Sequence, residues 1–135
     1  MLLEEANSMQ QNQRDPMKTA IAKISNARIS FKHSLVLCKE LKGKKLSKAK
    51  SFLENLISQK VNIDGKYYTN AAKNFLDLLK AAEANATKKG LNSEKLFIKQ
   101  IKADRGSRFY RPRSLWHLRR QRIKAVNLSL ELEER

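Results

Sequence analysis

The sequence predicts an α+β fold, because runs with helical period come first and runs with strand period come last. Three observations carry this. Around residues 49–57 and 72–86 apolar residues recur at the spacing of one helix face. Val126, Leu128, Leu130 and Leu132 alternate with Asn127, Ser129, Glu131 and Glu133, the period of a half-buried strand with one wet face. Between that strand and an earlier one lies an arginine-rich segment, Asp104 to Arg122, with little apolar periodicity of its own.

A chain of 135 residues fits one domain with a single modest core. Lys and Arg number 29 against 13 Asp and Glu, a formal net charge of +16 whose self-repulsion a polyanionic partner would relieve. Cys38 is the single cysteine, so no intrachain disulfide forms and no second thiol stands at metal-ligand spacing; a reducing cytosol is the expected home. No apolar stretch approaches the ~20 residues of a membrane span, and MLLEEANSMQQNQRD lacks the basic and apolar regions of a signal peptide.

Residues 1–17 are rich in Gln, Asn and Met, show no sustained period and stop at Asp15-Pro16, which reads as a flexible tail before a single domain over 18–135. Met17 to Ile29 mixes Ala and Ile with Lys, Asn and Arg and is either a short strand or an extended arm. Ser30 is the expected N-cap of a first helix that starts near Phe31 or Lys32, carries Leu37 and Leu41 on one face and stops at Lys42-Gly43. A second helix is expected after Ser47, with Ala49, Phe52, Leu53, Leu56 and Ile57 forming its apolar stripe. Asp64-Gly65 marks a turn, after which Thr69 or Asn70 should cap a third helix. Its apolar face is Ala72, Phe75, Leu76, Leu79, Ala82 and Ala86, Lys88 and Lys89 suit its negative end, and Gly90 terminates it. Leu96 to Lys102 reads as a strand in which Ile98 and Ile101 fall out of alternation, so a bulge is expected.

The segment from Asp104 to Arg122 is too long for an ordinary structureless connection in a compact domain. Arg105, Arg108, Arg111, Arg113, Arg119, Arg120 and Arg122 are seven of the chain's ten arginines, whereas all nineteen lysines lie outside it. Arginine offers a planar fork for two phosphate oxygens or for stacking on a base; lysine is a mobile point charge. Phe109, Tyr110, Trp116 and His117 interleave with these arginines and supply flat surfaces for unstacked bases, as RNA at close quarters requires. If the flanking strands continue into the segment, a turn near Pro112 lies roughly 30 Å from Asp104 at the rise of a strand. A solvated basic loop is the bland alternative, but it gains nothing from exposing Phe109 and Trp116.

Catalysis has no footing in the sequence. Cys38 reads as a small core residue, His33 and His117 have no nucleophile and acid beside them, and Glu40, Glu54, Asp77 and Glu83 are surface charges with Lys neighbours. The four glycines form no phosphate-cradling cluster, and the arm lacks the acid and base pair of a nuclease. The competing binding class is a DNA regulator with a helix-turn-helix-like element around Gly43. Its reading helix would offer mainly Lys48, Lys50, Glu54 and Asn55, a poor set of base-reading forks.

The segments ISFKHSLVLCKELKGKKLSKAKSFLENLI, AAKNFLDLLKAAEANATKKGLNSEKLFIKQIKADRG, RPRS and KAVNLSLELEE stand in an order that resembles the universal large-subunit ribosomal protein twenty-two family. The likeness covers Ile24 to Glu134, and the SFKHS and AEANA wording is closer to the archaeal and eukaryotic branch. The resemblance implies three helices packed on a small antiparallel sheet, with a long extended β-hairpin over 103–124 protruding from the body. It implies a structural ribosomal protein in the cytoplasm whose hairpin runs through large-subunit rRNA and lines the polypeptide exit tunnel. Its partners would be rRNA, neighbouring ribosomal proteins and the nascent polypeptide, with no cofactor, metal, membrane or homo-oligomer. By position, Ser30, Lys32 and His33 match the motif that opens the family's first helix, Gly43, Lys44 and Lys45 its Gly-Lys turn, and Asn85 its Ala-Asn-Ala helix end. With Lys88, Arg105, Arg108, Arg119, Arg120 and Arg122 these are the expected RNA contacts; Phe109, Tyr110, Arg111, Pro112, Arg113, Trp116 and His117 form the hairpin tip. The chain departs from the family where Ser114 to Leu118 replace small residues and Gly-Arg, in a short connector before the third helix, and at Asn127, where His is common.

Overall fold

The computed structural model describes residues 18–112 and 121–135; the expected tail over 1–17 lies outside the described residues. Along the chain run β1 (Thr19–Ala27), α1 (Phe31–Leu41), α2 (Leu46–Ile57), α3 (Thr69–Lys88), a 3-10 turn (Ser93–Lys95), β2 (Leu96–Arg105), β3 (Phe109–Tyr110), β4 (Arg122–Ile123) and β5 (Val126–Glu134). The body is therefore α+β, but its sheet has three strands in the order β1-β5-β2, all antiparallel. The reading of helices first and a strand pair last is corrected by β1. Its sequence, TAIAKISNA, places apolar residues on both faces and so offers no clean period; pairing with β5 is what makes it a strand.

β5 sits at the centre because its alternation supplies a row of apolar side chains to share with both neighbours. Leu132 lies between Ala20 and Ile98, Leu130 between Ala22 and Ile101, and Leu128 between Ile24 and Ala103. Its other side, Asn127, Ser129, Glu131 and Glu133, is half-buried where a wet face was expected, since strands flank it on both sides. The expected bulge in β2 falls between Ile98 and Gln100. That extra residue turns both Ile98 and Ile101 inward and leaves Lys99 to pair with Glu131 at 3.5 Å.

The helices cover one face of the sheet. α2 buries Leu46, Ala49, Leu53 and Leu56 and leaves Phe52 and Ile57 of the expected stripe half-buried; α3 buries Ala72, Phe75, Leu79, Ala82 and Ala86 of its stripe, together with Ala71 and Leu78, and leaves Leu76 half-buried. The inward residues of β1 are Ala20 and Ala22, small enough for α3 to lie close against that strand. From α3, the Asn85 amide donates to the Ile21 carbonyl at 2.9 Å and the Lys89 ammonium to the Thr19 carbonyl at 2.9 Å. On the opposite edge, Gly43 donates to the Ile98 carbonyl at 3.1 Å and Ile98 to the Lys44 carbonyl at 3.0 Å. Both edges of the sheet are thus occupied at these points, which blunts pairing with another chain.

The first helix starts at Phe31 from Ser30, as expected, but its capping group and the starts of the other two helices differ from expectation. Ser30 holds the N-cap position of α1 with extended backbone, but its hydroxyl caps nothing; its carbonyl instead accepts from the Ser34 N–H at 3.0 Å and the Ser34 hydroxyl at 2.8 Å. α2 starts at Leu46 from Lys45, ahead of Ser47. At α3 neither Thr69 nor Asn70 caps: Tyr68 takes that place in the left-handed region (φ +46°), with its ring edge-on to His33 at 4.7 Å between centroids. Packing of the Tyr68 ring decides this start, a preference that local sequence does not carry.

Cys38 is buried in α1. Burial, then the Asp104 carboxylate, pushes its thiol up to about 11. Because the folded value lies above that of the unfolded chain, the neutral thiol favours the fold below the unfolded pKa, and this contribution is lost as pH rises through the folded value. Alkylation by iodoacetamide at pH 8 is expected to be slow in the folded chain and rapid in denaturant, measured by intact mass; equal rates would contradict a buried neutral thiol.

Candidate nucleic-acid interface

The basic arm grows directly out of the sheet. β2 and β5 remain paired as far as Arg105 opposite Val126, Gly106 donates to the Ala125 carbonyl at 2.8 Å, and a second ladder then pairs Phe109 with Ile123 and Tyr110 with Arg122. Arg111 donates to the Gln121 carbonyl at 2.9 Å, so the two strands of the hairpin are still in register at that pair. Arg113, Trp116, His117, Arg119 and Arg120 lie outside the described residues. Phe109 and Tyr110 are 45 % and 54 % exposed, two aromatic rings that the body does not use for its own core.

A three-way joint fixes the root of this hairpin. Asn26 sits in the left-handed region (φ +55°), which Asn enters more readily than most residues. Its N–H donates to the Asn127 side-chain oxygen at 2.9 Å, and its own side-chain oxygen accepts from the Ser107 N–H at 2.9 Å. The end of β1 thereby grips both strands of the hairpin. Gly106 is the residue that permits the approach: a Cβ there would stand 2.6 Å from the Asn26 Oδ1 and 3.1 Å from the Ala125 backbone.

Asn26→Gly keeps the backbone freedom and removes the acceptor, whereas Asn26→Asp keeps both. The first should expose the Ser107 amide to exchange roughly five- to tenfold faster, the equivalent of one hydrogen bond of about 1 kcal/mol, and the second should leave it protected. Equal exchange in all three proteins, read by NMR, would contradict the joint.

Two clefts flank the joint. The first, about 360 Å³, opens between the start of α1 (Ser30, Phe31, Lys32) and the hairpin root (Arg105 to Arg108 and Arg122 to Ala125). Within it the Arg105 guanidinium lies over the Phe31 ring, 5.4 Å from the centroid. The second, about 370 Å³, is lined by Arg28, Ile29, Ser30, Asn70, Arg111, Ile123 and Lys124. Among the described residues no carboxylate lines either one. Since the Ser30 hydroxyl does not cap α1, the N–H groups of the first helical turn donate no hydrogen bond to the cap side chain, and such groups suit an anion. Cationic forks, hydroxyls and amides around such a cleft form a phosphate-binding environment.

Of the expected RNA contacts, Ser30, Lys32, Arg105, Arg108 and Arg122 are brought together here. The others stand apart. The Lys44 ammonium lies over the Phe52 ring at 4.1 Å, Lys45 bridges to Phe97, and His33 packs on Tyr68. Asn85 commits its amide to the Ile21 carbonyl, and Lys88 is exposed at the end of α3. Arg28, Phe31, Ser107 and Lys124, absent from the expected set, line the clefts, and Asn26 and Gly106 form the joint. Arg28 and Lys124 were legible as charges beside the expected contacts; Asn26 carried no signal, since its role depends on a partner 81 residues away.

The match to known proteins covers most of this architecture. Residues 22–132 match the family model described as ribosomal protein L22p/L17e. The chain is similar to the large ribosomal subunit protein uL22 of Methanocaldococcus jannaschii, 35% identical over 89% of this chain and 90% of that protein. It is similar also to those of Methanococcus maripaludis, at 32% over 89% and 92%, and Methanopyrus kandleri, at 31% over 90% and 90%. With most of the β1-to-β5 body and the hairpin inside the matched span, the chain belongs to the ribosomal protein L22p/L17e family.

Proposed function

We propose that this chain is a structural constituent of the cytoplasmic large ribosomal subunit that binds large-subunit rRNA and supports its folding and assembly, with no catalytic role. The observation that carries the reading is the pair of clefts at the hairpin root, lined by no carboxylate among the described residues, where Ser30, Lys32, Arg105, Arg108, Arg111, Arg122 and Lys124 converge. Family membership supports it. In this reading residues 18–135 form one domain, the hairpin over 103–124 inserts between rRNA segments, and its tip lines the exit tunnel beside the nascent polypeptide. Phe109 and Tyr110 supply stacking surfaces along the way. Lys44, Lys45, His33 and Lys88 meet RNA on the body, and neighbouring ribosomal proteins complete the surroundings. The DNA-reading alternative finds no support, because Lys50 of its reading helix is engaged by Glu83.

A tagged copy expressed in an archaeal or eukaryotic host and sedimented through sucrose tests the reading. Co-migration with large subunits in high salt is the expected result; recovery only at the top of the gradient would sink it.

A further inference from the structure

We infer that the cleft between α1 and the hairpin root takes a single unstacked nucleotide of the RNA, its base inside and its phosphate on the rim. The inference rests on the RNA-binding reading and sharpens it from charge attraction to a defined subsite. The volume, about 360 Å³, lies at the lower end of the range of about 300–1,000 Å³ that small-ligand clefts span, too small for a duplex and sufficient for one nucleotide.

Its lining divides by chemistry. Phe31, Ile123 and Ala125 provide apolar surface, while Arg108 and Arg122 supply cations. Arg105 does both, since the Phe31 ring beneath its guanidinium leaves a cationic plane on which a base can stack. A purely phosphate-gripping surface has no need of the apolar part, and a purely apolar pocket has no need of the cations. The cleft also exists without RNA, because the Ser107-to-Asn26 hydrogen bond holds its hairpin wall to the body and the Gly106-to-Ala125 hydrogen bond ties the two strands of that wall together.

The test titrates the full-length chain with adenosine 5′-monophosphate, inorganic phosphate and adenosine in low salt, following backbone amides by NMR. The mononucleotide is expected to shift the amides of Phe31, Ser107 and Ile123 at concentrations roughly tenfold lower than either fragment, the gain that one stacked base supplies. Equal potency of inorganic phosphate, or shifts spread away from the cleft, would overturn the subsite. Ser107→Trp fills the cleft and keeps every cation; it should lose the mononucleotide response and roughly tenfold in affinity for a large-subunit rRNA transcript. Should that variant fail to fold by circular dichroism, Phe31→Leu, which keeps the apolar bulk and removes the ring under Arg105, is expected to give the same losses. Unchanged transcript affinity in a folded variant refutes the subsite and leaves RNA binding standing. Failure of the unaltered chain to bind the transcript refutes the RNA-binding reading itself.

Discussion

Replacing the seven arginines from Arg105 to Arg122 with serine is expected to abolish stable incorporation into large subunits while leaving the body folded. None of them belongs to the buried core among the described residues, and Arg105, Arg108, Arg111 and Arg122 are exposed. Their removal costs the body little packing and strips the clefts of their forks. The effect on binding compounds, because each phosphate neutralised releases counterions. A protein making 6–10 such contacts loses about 10³–10⁵ in affinity between 50 and 200 mM salt. For the unaltered chain a fall of this order is expected on a large-subunit rRNA transcript, and for the serine variant a distinctly shallower salt dependence, carried by the lysines that remain. Normal incorporation of the variant into subunits, read by sucrose-gradient sedimentation, would refute the placement of the hairpin in rRNA.

Phe75→Ala should do the opposite, weakening the fold and leaving the cations. Phe75 is fully buried on the face of α3 that meets the sheet and α2, and it is the largest fully buried side chain among the described residues. Truncation at such a site costs about 3–5 kcal/mol, of a total stability of about 5–15 kcal/mol for an ordinary domain. A drop in Tm of roughly 10–20 °C follows for a domain of this size. Thermal unfolding by circular dichroism measures it, and a loss under about 1 kcal/mol would mean that the core does not depend on this ring. Below its Tm the variant should keep the salt dependence of RNA binding, since no cleft residue is altered. The two variants separate charge from packing.

Much of the body was legible because period reports burial. The stripes of α2 and α3, the alternation of β5 and the bulge in β2 all follow from which side chains must leave water, and the structure places them accordingly. Gly43 and Gly90 at the ends of α1 and α3 were equally readable, since each takes a positive φ that other residues resist. The start of α1 after Ser30 was readable too, but the capping groups were not: a serine or threonine hydroxyl competes with carbonyls, rings and turns that only the folded chain brings near. Ser30 and Tyr68 show both outcomes, one hydroxyl left idle and one tyrosine in the left-handed region.

At the interface the same division holds. Charge density marked the arm, and Arg105, Arg108 and Arg122 do line a cleft with Ser30 and Lys32. Their meeting across the chain needed the pairing of β2 with β5 to bring the hairpin root beside the start of α1. Asn85 illustrates the converse, a motif residue whose amide the fold spends on the β1 backbone.

By itself the sequence determined the α+β class, the apolar faces of the helices and central strand, and the excess of cations that calls for a polyanion, because hydrophobic period and net charge are summed along the chain. Only the tertiary structure decided that TAIAKISNA is a strand, that Asn26 grips both arms of the hairpin, and that apolar and cationic residues enclose one cleft. These depend on contacts between distant segments, and hydrogen bonds and cavities exist only once those segments have been packed.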